Sequence, residues 1–184
     1  MKITYVTGNP AKLAGARQFL EPLGFTIDNI KMDCPELQAN TLQEVAKFKG
    51  AYSCKKLKCN CLNNDSGLFI KSLNGFPGVY TAYVEESIGE DGILKLLEGI
   101  TDREAYFEEC LCYTETSGNQ ICFSGRVYGS IALEKSGTNG WSYDFIFIPK
   151  GESMTLANFS GEKLYSCWKT DAYEKLAQYL KNKQ

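Results

Sequence analysis

The stretch "YVTGNPAKL", residues 5–13, joins a predicted strand to a predicted helix and decides how the fold begins. Residues 2–6 are apolar enough for a strand, and the chain then turns at Thr-Gly-Asn-Pro. Asn9 is a favourable helix cap, and Pro10 suits the first position of a helix over residues 10–21. A strand that leads through a short turn into a helix is typical of α/β proteins.

The rest of the chain continues this alternation and then changes to a long antiparallel pair. A capping-box pattern at 41–44 predicts a helix that ends near residue 57, and "TSGN" predicts a hairpin turn. The other predicted strands are 25–32, 59–62, 68–70, 105–114, 120–133 and 145–148, and the other predicted helices are 89–97 and 170–181. No linker divides the chain, so we expect a single mixed α/β domain over residues 1–184.

Composition limits the chemistry that this chain can perform. It has 184 residues, a formal net charge of -2 and no histidine. Without histidine there is no Ser-His-Asp or Cys-His nucleophile system and no histidine-ligated metal. Carboxylates holding a hard cation such as magnesium fit the remaining inventory best.

Composition also indicates where the protein works and what it does not bind. No apolar run reaches the roughly 20 residues of a membrane span, and the charge balance shows no basic field for nucleic acid. The eight cysteines form no C-x-x-C pair and are expected to be reduced, mostly buried thiols. We therefore expect a cytoplasmic protein with neither a membrane nor a nucleic acid as partner.

The opening turn is a candidate phosphate site. Thr7, Gly8 and Asn9 end the first strand, and Lys12 lies in the first turn of the helix. Backbone N–H groups at a helix start, the helix dipole and a nearby ammonium all attract anions. The spacing is neither that of a P-loop nor that of a dinucleotide turn. The alternative is an ordinary capped turn with no ligand.

Three other stretches carry candidate chemistry, each with a structural alternative. Asp65 in "NNDSGL" is expected at a sharp polar turn, where it would bind a metal or take a proton from water, or else cap Gly67. Glu36 lies in a predicted loop, where most carboxylates are simply solvated. Trp141 and Asp144 in "NGWSYDFIF" suit a planar heterocycle, or else a core position.

Together these stretches resemble the inosine triphosphate pyrophosphatase family, which removes non-standard purine nucleotides such as ITP, dITP and XTP. The motifs "TGNPAK", "PELQ", "DSGLFI", "LNGFPGVYTAY", "GWSYDFIF" and "GEK" occur in family order over nearly the whole chain, and residues 75–107 are most similar to the archaeal branch. The resemblance implies a long mixed β-sheet flanked by helices, two lobes with a central nucleotide cleft, and a homodimer. It also implies hydrolysis of a nucleoside triphosphate to the monophosphate and pyrophosphate, with magnesium or manganese.

The resemblance assigns roles residue by residue. Asp65 would be the catalytic base, and Glu36 and Asp65 would hold the metal. Residues 7–12 would hold the triphosphate, Lys47 would reach the phosphates, and Trp141 would stack on the base. The positions matched to substrate binding are Thr7, Gly8, Asn9, Lys12, Lys47, Ser66, Trp141, Ser142, Tyr143, Asp144, Lys163, Trp168 and Lys169.

Two departures from the family pattern bear directly on the metal and on the base. Asn64 stands where the family usually has an acidic residue, so a metal there would lose a charge. Cys167-Trp168-Lys169 stands where the family has Ser-His-Arg, which reads the purine 6-keto edge, and lysine lacks the fork of arginine. Three hypotheses stay open beside the family function: altered or relaxed base preference, nucleotide binding with weak or no turnover, and a same-fold enzyme for modified pyrimidine nucleotides.

Overall fold

The computed structural model describes residues 1–183, which form six strands and six α-helices. The strands are β1 (Lys2–Val6), β2 (Thr26–Ile30), β3 (Cys61–Ile70), β4 (Glu104–Thr114), β5 (Gln120–Ile131) and β6 (Phe147–Pro149). The helices are α1 (Pro10–Leu20), α2 (Leu42–Leu57), α3 (Thr81–Ser87), α4 (Gly89–Leu96), α5 (Gly161–Trp168) and α6 (Ala172–Lys181).

The strands form one mixed sheet in the order β2-β1-β3-β4-β5-β6. β1 is parallel to β2, with Val6 opposite Ile30, and parallel to β3, with Tyr5 opposite Leu62. β5 and β6 are antiparallel. The long mixed sheet flanked by helices that the resemblance implies is therefore confirmed.

Two helices begin as their local sequence predicts. At the start of α1, Asn9 Oδ1 accepts hydrogen bonds from the backbone N–H groups of Ala11 at 2.8 Å and Lys12 at 3.2 Å. At the start of α2, Thr41 Oγ1 accepts from Glu44 N at 3.2 Å while Glu44 Oε2 accepts from Thr41 N at 3.0 Å. Each cap satisfies backbone donors that have no partner inside the helix, which stabilises the helix start by about 1 kcal/mol.

The chain divides into two compact units. The first contains residues 1–65, 109–125 and 170–183. Its core lies where α1 and α6 pack on one face of the sheet, and its fully buried members include Tyr5, Leu20 and Leu176. A second cluster of buried thiols and apolar groups includes Cys54 and Cys61.

The second compact unit contains residues 66–108 and 126–169. Its core brings together Leu68 and Ile70 of β3, Ile93 of α4 and Phe147 of β6, all fully buried. In this unit "FPGV" is a sharp turn that leads into a short helical segment, Gly78–Tyr80, and then into α3.

The prediction of two strands, 59–62 and 68–70, separated by a polar turn is wrong. β3 runs unbroken from Cys61 to Ile70, so Asp65 lies in mid-strand and not at a turn. The polar side chains are tolerated there because they have partners. Asn63 Nδ2 donates to Ser53 Oγ at 3.1 Å, and Asp65 pairs with Lys49 at 2.9 Å. The sequence of β3 itself does not identify these partners, which lie on α2.

The other differences concern short elements. The sequence predicts no helix at residues 81–87 or 161–168, where the structure has α3 and α5. The strand expected at 145–148 starts two residues later, because Ser142–Phe145 forms a 3-10 turn. These segments are only four to eight residues long, and helical or strand periodicity is weak over such lengths.

The cysteines are enclosed to different degrees. None of the eight, all within residues 1–183, forms a disulfide, and four are buried and four half-buried. Cys110 and Cys112 lie on one face of β4 and are fully buried. Among residues 1–183, no helix is long and apolar enough to cross a membrane.

Candidate active site

The turn between β1 and α1 in the first unit is shaped by its own polar groups. Asn9 N donates to Thr7 Oγ1 at 3.1 Å, and Thr7 N donates to the carbonyl of Ile30 at 3.1 Å. A Cβ atom added at Gly8 would meet nothing within 4 Å, so the space in front of this turn is open. The turn thus presents the positive end of the α1 dipole to an open position, which is how helix starts bind anions.

Lys12 brings a positive charge to this turn from the first turn of α1. Its side chain is half-buried, and burial lowers the pKa of Lys12 below its usual value. The charges of Asp65, Glu109 and Glu36 act in the opposite direction, while Lys49 lowers the pKa further. Lys12 is therefore part of an array of alternating charges, and this array also contains Asp65.

The carboxylate of Asp65 is buried in the first unit. Only 8% of the residue is exposed, and its Oδ1 receives a hydrogen bond from Lys49 Nζ at 2.9 Å. Burial by itself lowers the pKa of Lys49, but the charge and hydrogen bond of Asp65 outweigh it and raise the pKa above its usual value. The Asp65 carboxylate is therefore held in place by the ammonium group of Lys49.

Sequence reasoning missed Lys49 as a site residue. Lys49 lies on the stripe of α2 that includes the buried Val45, Ala46 and Ser53. A lysine in an apolar stripe at helical spacing needs a buried partner, and that spacing was the available signal. The structure identifies Asp65 as the partner.

Lys47, which is also on α2, lies against β5. Its backbone carbonyl accepts a hydrogen bond from Gln120 Nε2 at 2.8 Å, and its charge acts on the thiols of Cys112 and Cys122. Lys49, and not Lys47, is the α2 lysine that contacts Asp65.

Two oxygen donors accompany Asp65. Glu36 is exposed in the loop between β2 and α2, and its charge acts on both Lys12 and Lys49, which places it near the array. Asn64 is buried, and its Oδ1 finds no hydrogen-bond partner among residues 1–183. Because neighbouring strand residues point to opposite faces, Asn64 faces the α1 side of the sheet and Asp65 the α2 side.

In the second unit, Trp141 and Asp144 form a local pair. Trp141 is 62% exposed, and its backbone N–H donates to Asp144 Oδ2 at 2.9 Å. Burial raises the pKa of Asp144 to about 6, with a further contribution from Glu85, and the hydrogen bond from Trp141 opposes the shift. The Asp144 carboxylate thus holds the backbone of Trp141 in place. The exposed indole ring of Trp141 is available to stack on a planar ligand.

The remaining predicted residues of the second unit differ in exposure and in their partners. Tyr143 is buried, and its hydroxyl donates to the carbonyl of Thr81 at 3.4 Å. Lys163 forms an ion pair with Glu152. Ser142 is buried in a left-handed backbone conformation with φ of 55°, Ser66 is half-buried, and Lys169 is exposed.

Trp168 is part of the core of the second unit. Its ring packs edge-on against Phe107 with centroids 4.8 Å apart. Phe107 in turn packs edge-on against Phe147 at 4.9 Å. The indole that replaces the histidine of the resembled pattern is therefore engaged in aromatic packing.

The fold and the charge array define an α/β protein with an open helix start after β1 and a buried carboxylate that is paired with a lysine. The model of the Ham1 family matches residues 3–179, and this chain belongs to that family. The resemblance drawn from the motifs is thereby confirmed.

Individual relatives support the same assignment. The dITP/XTP pyrophosphatase of Methanopyrus kandleri is 43% identical over 183 residues, covering 99% of this chain and 97% of the relative. That of Pyrococcus horikoshii is 44% identical over 163 residues, covering 89% and 87%. Among solved structures, a HAM1 protein from Coxiella burnetii aligns with a TM-score of 0.84 at 26% identity, covering 99% of each chain.

Proposed function

We propose that this protein hydrolyses non-standard purine nucleoside triphosphates, namely ITP, dITP and XTP, to the monophosphate and pyrophosphate. The observation that carries the proposal is the buried Asp65 carboxylate, held by Lys49 and accompanied by Lys12. The relatives named dITP/XTP pyrophosphatases, at 43–44% identity, supply the substrate class.

The triphosphate is held by the first unit in this proposal. Thr7, Gly8 and Asn9 offer backbone N–H groups and the positive end of the α1 dipole. Lys12 adds a mobile ammonium that neutralises phosphate charge. Positioning and charge neutralisation of this kind supply most of the rate in phosphate-transfer reactions.

The donor set beside this turn fits a hard divalent cation. Glu36 and Asp65 are oxygen donors, and magnesium is usually held by one or two carboxylates together with substrate phosphates and water. A bound cation of this kind, magnesium or manganese, would act as a Lewis acid on the phosphate oxygens. Asn64, which is uncharged and faces the other side of β3, adds no negative charge to this set.

Asp65 is the proposed base. Its carboxylate takes a proton from the water that attacks phosphorus, while the hydrogen bond from Lys49 holds the carboxylate in place. Lys12 and Lys49 then stabilise the charge that collects on the departing pyrophosphate. None of these steps requires histidine, which the chain lacks.

The second unit supplies the base contacts in this proposal. Trp141 stacks on the purine, Ser142, Tyr143 and Asp144 lie beside it, and Lys163 makes a further nucleotide contact after release from Glu152. The positions Ser66, Trp168 and Lys169 complete the proposed binding set, and Lys47 stays assigned to the phosphates.

Replacing Trp141 with alanine is expected to raise KM for ITP about fivefold or more with little change in kcat. The reason is that stacking of a base on an aromatic side chain is worth about 1 kcal/mol or more. Steady-state kinetics on ITP measure both constants. Trp141→Phe is the matched control and should stay within about twofold of wild type, since a ring remains. An unchanged KM in Trp141→Ala would remove Trp141 from the base site.

The test of the function is pyrophosphate release with magnesium across ITP, XTP, dITP, GTP, ATP, dUTP and UTP. We expect ITP, XTP and dITP to be hydrolysed best. Similar rates on GTP and ATP, or a shift to pyrimidines, would mean that the base preference differs from that of the named relatives. Tight nucleotide binding with no turnover on any of them would reject the enzymatic proposal.

Relaxed base preference is the second candidate, and one observation favours it. Trp168 stands where the resembled family has a base-reading histidine, and its ring packs against Phe107. An indole donates one hydrogen bond and accepts none, so it cannot replace both roles of a histidine. The same substrate panel separates this candidate from a strict preference for 6-keto purines.

From the family resemblance we propose that the protein is a homodimer of single-domain chains. We also propose that it acts in the cytoplasm. Sedimentation at micromolar protein concentration measures the oligomeric state directly. A monomer with full pyrophosphatase activity would reject the homodimer as a requirement for the reaction.

A further inference from the structure

Three thiols lie on the paired strands β4 and β5 of the first unit, and the proposed reaction uses none of them. Cys110 and Cys112 of β4 are fully buried, whereas Cys122 of β5 is half-buried. Two cysteines can be oxidised to a disulfide without backbone movement only if their Cα atoms are about 4.4–6.8 Å apart. The register of the two strands decides which cysteines meet this condition.

Backbone hydrogen bonds at both ends of the strand pair fix its register. At the turn, Glu115 N donates to the carbonyl of Asn119 at 2.9 Å. At the far end, Ile131 N donates to the carbonyl of Arg103, also at 2.9 Å. Both bonds fit one antiparallel register, so no net residue is inserted on either strand between them. Each residue of β4 between these ends therefore has one opposite residue on β5.

In this register Cys112 lies directly opposite Cys122. Side chains at other opposite positions on the same face do meet, which supports the register. They are Thr114 Oγ1 with Gln120 Nε2 at 3.0 Å, Glu108 Oε2 with Arg126 Nε at 2.6 Å, and the rings of Tyr106 and Tyr128 with centroids 5.8 Å apart. The two thiols therefore occupy one rung of a ladder whose neighbouring rungs are in contact.

This rung is of the kind that a disulfide fits. Hydrogen-bonded and non-hydrogen-bonded pairs alternate along an antiparallel ladder, and Glu115 and Asn119 are a hydrogen-bonded pair. Cys112 and Cys122 are therefore a non-hydrogen-bonded pair, whose Cα atoms are about 4.5 Å apart in such ladders. Cys110 is diagonal to Cys122, at about 7–8 Å, which is too far for a disulfide without backbone movement.

The ionisation of the two thiols agrees with their contact. A hydrogen bond from Cys122 lowers the pKa of Cys112 below its usual value, although burial opposes the shift. The hydrogen bond with Cys110 lowers the pKa of Cys122, but the one with Cys112 and burial outweigh it and raise the pKa to about 11. Cys112 is thus the more readily ionised thiol, and Cys122 is the more accessible one.

We propose that Cys112 and Cys122 are a reversible redox site, which a low-molecular-weight disulfide oxidises to a cross-strand disulfide. The Cys122 thiolate attacks one sulfur of the reagent and forms a mixed disulfide, and the released thiolate takes up the proton from Cys122. The Cys112 thiolate then attacks Cys122 Sγ and releases the second reagent thiol, which carries the proton from Cys112. The two cysteine sulfurs are oxidised, and the reagent disulfide is reduced to two thiols.

The test exposes the full chain to excess oxidised glutathione, blocks the remaining thiols and maps linked peptides by mass spectrometry. We expect a Cys112–Cys122 link in wild type that dithiothreitol removes. Cys112→Ser should instead keep glutathione on Cys122, because the thiol that resolves the mixed disulfide is missing. Cys122→Ser should leave Cys112 unmodified, since Cys112 is fully buried. Cys54→Ser is the matched control, with a buried thiol removed from α2, and should form the same link as wild type.

Three results would overturn the inference, each read on protein that circular dichroism shows to be folded. Wild type that keeps Cys112 and Cys122 as free thiols after prolonged exposure would show that the pair is not a redox site. Glutathione that persists on Cys122 of wild type would mean that the two sulfurs do not meet. A link from Cys122 to Cys110 would mean that the strands have a different register. None of these results depends on the proposed pyrophosphatase reaction.

Discussion

Replacing Asp65 with asparagine is expected to lower kcat for pyrophosphate release from ITP by about 10² or more, because it removes both the proton acceptor and a metal-binding charge. Asparagine is nearly the same size, so the mid-strand position in β3 can hold it. The change also removes the counter-charge of Lys49, which then becomes free to contact phosphate. Nucleotide binding should therefore survive, measured by calorimetry with ITP in the absence of metal.

The control for this variant is Asp28→Asn, in the same unit. Asp28 pairs with Lys2 at 2.9 Å on the exposed surface, where such pairs contribute about 0–1 kcal/mol. Its activity and melting temperature should match wild type. Turnover in Asp65→Asn within about threefold of wild type would contradict the role of Asp65 as base.

Replacing Gly67 with valine is expected to destabilise the second unit by about 3 kcal/mol or more, or to prevent it from folding. A Cβ atom at Gly67 would lie 2.2 Å from the carbonyl oxygen of Gly78, and a backbone atom cannot move aside as a flexible side chain can. The same carbonyl accepts a hydrogen bond from Thr81 Oγ1 at 2.6 Å, and Thr81 Oγ1 accepts from Leu68 N at 2.8 Å. Valine would disrupt this chain of bonds.

Urea and thermal melts followed by circular dichroism measure this effect. Gly15→Ala is the matched control, since its Cβ would meet only the Tyr173 hydroxyl at 4.0 Å. Because Gly15 lies within α1, alanine there should stabilise the protein by about 0.5–1 kcal/mol. A Gly67→Val protein that melts like wild type would contradict the close approach of the two backbone segments.

The contact between Gly67 and Gly78 also shows how two of the sequence motifs are related in space. "DSGLFI" and "GFPGV" are recognisable in the sequence as separate stretches. In the folded second unit, Gly67 of the first stretch lies against the backbone of Gly78 in the second. The structure shows that the absence of a side chain at Gly67 allows these two backbone segments to approach closely.

The sequence by itself determined the elements whose signals are local. The cap of α1 at Asn9, the capping box of α2 and the hairpin between β4 and β5 each depend on residues within about five positions of one another. The order of motifs was enough to identify the family. The candidate charges at Lys12 and Asp65 were also found from sequence, because lysine and aspartate beside turns or strands stand out from apolar surroundings.

Only the tertiary structure decided which of these charges meet. Asp65 lies in mid-strand against Lys49, Glu109 of β4 accepts a hydrogen bond from Thr170, and Trp168 packs against Phe107. Each of these contacts joins residues at least 16 positions apart in the chain. Periodicity shows which side of a helix or strand is buried, but not which element covers it. The partner of a buried charge is therefore settled by how the helices and strands pack, since only packing brings the two groups within bonding distance.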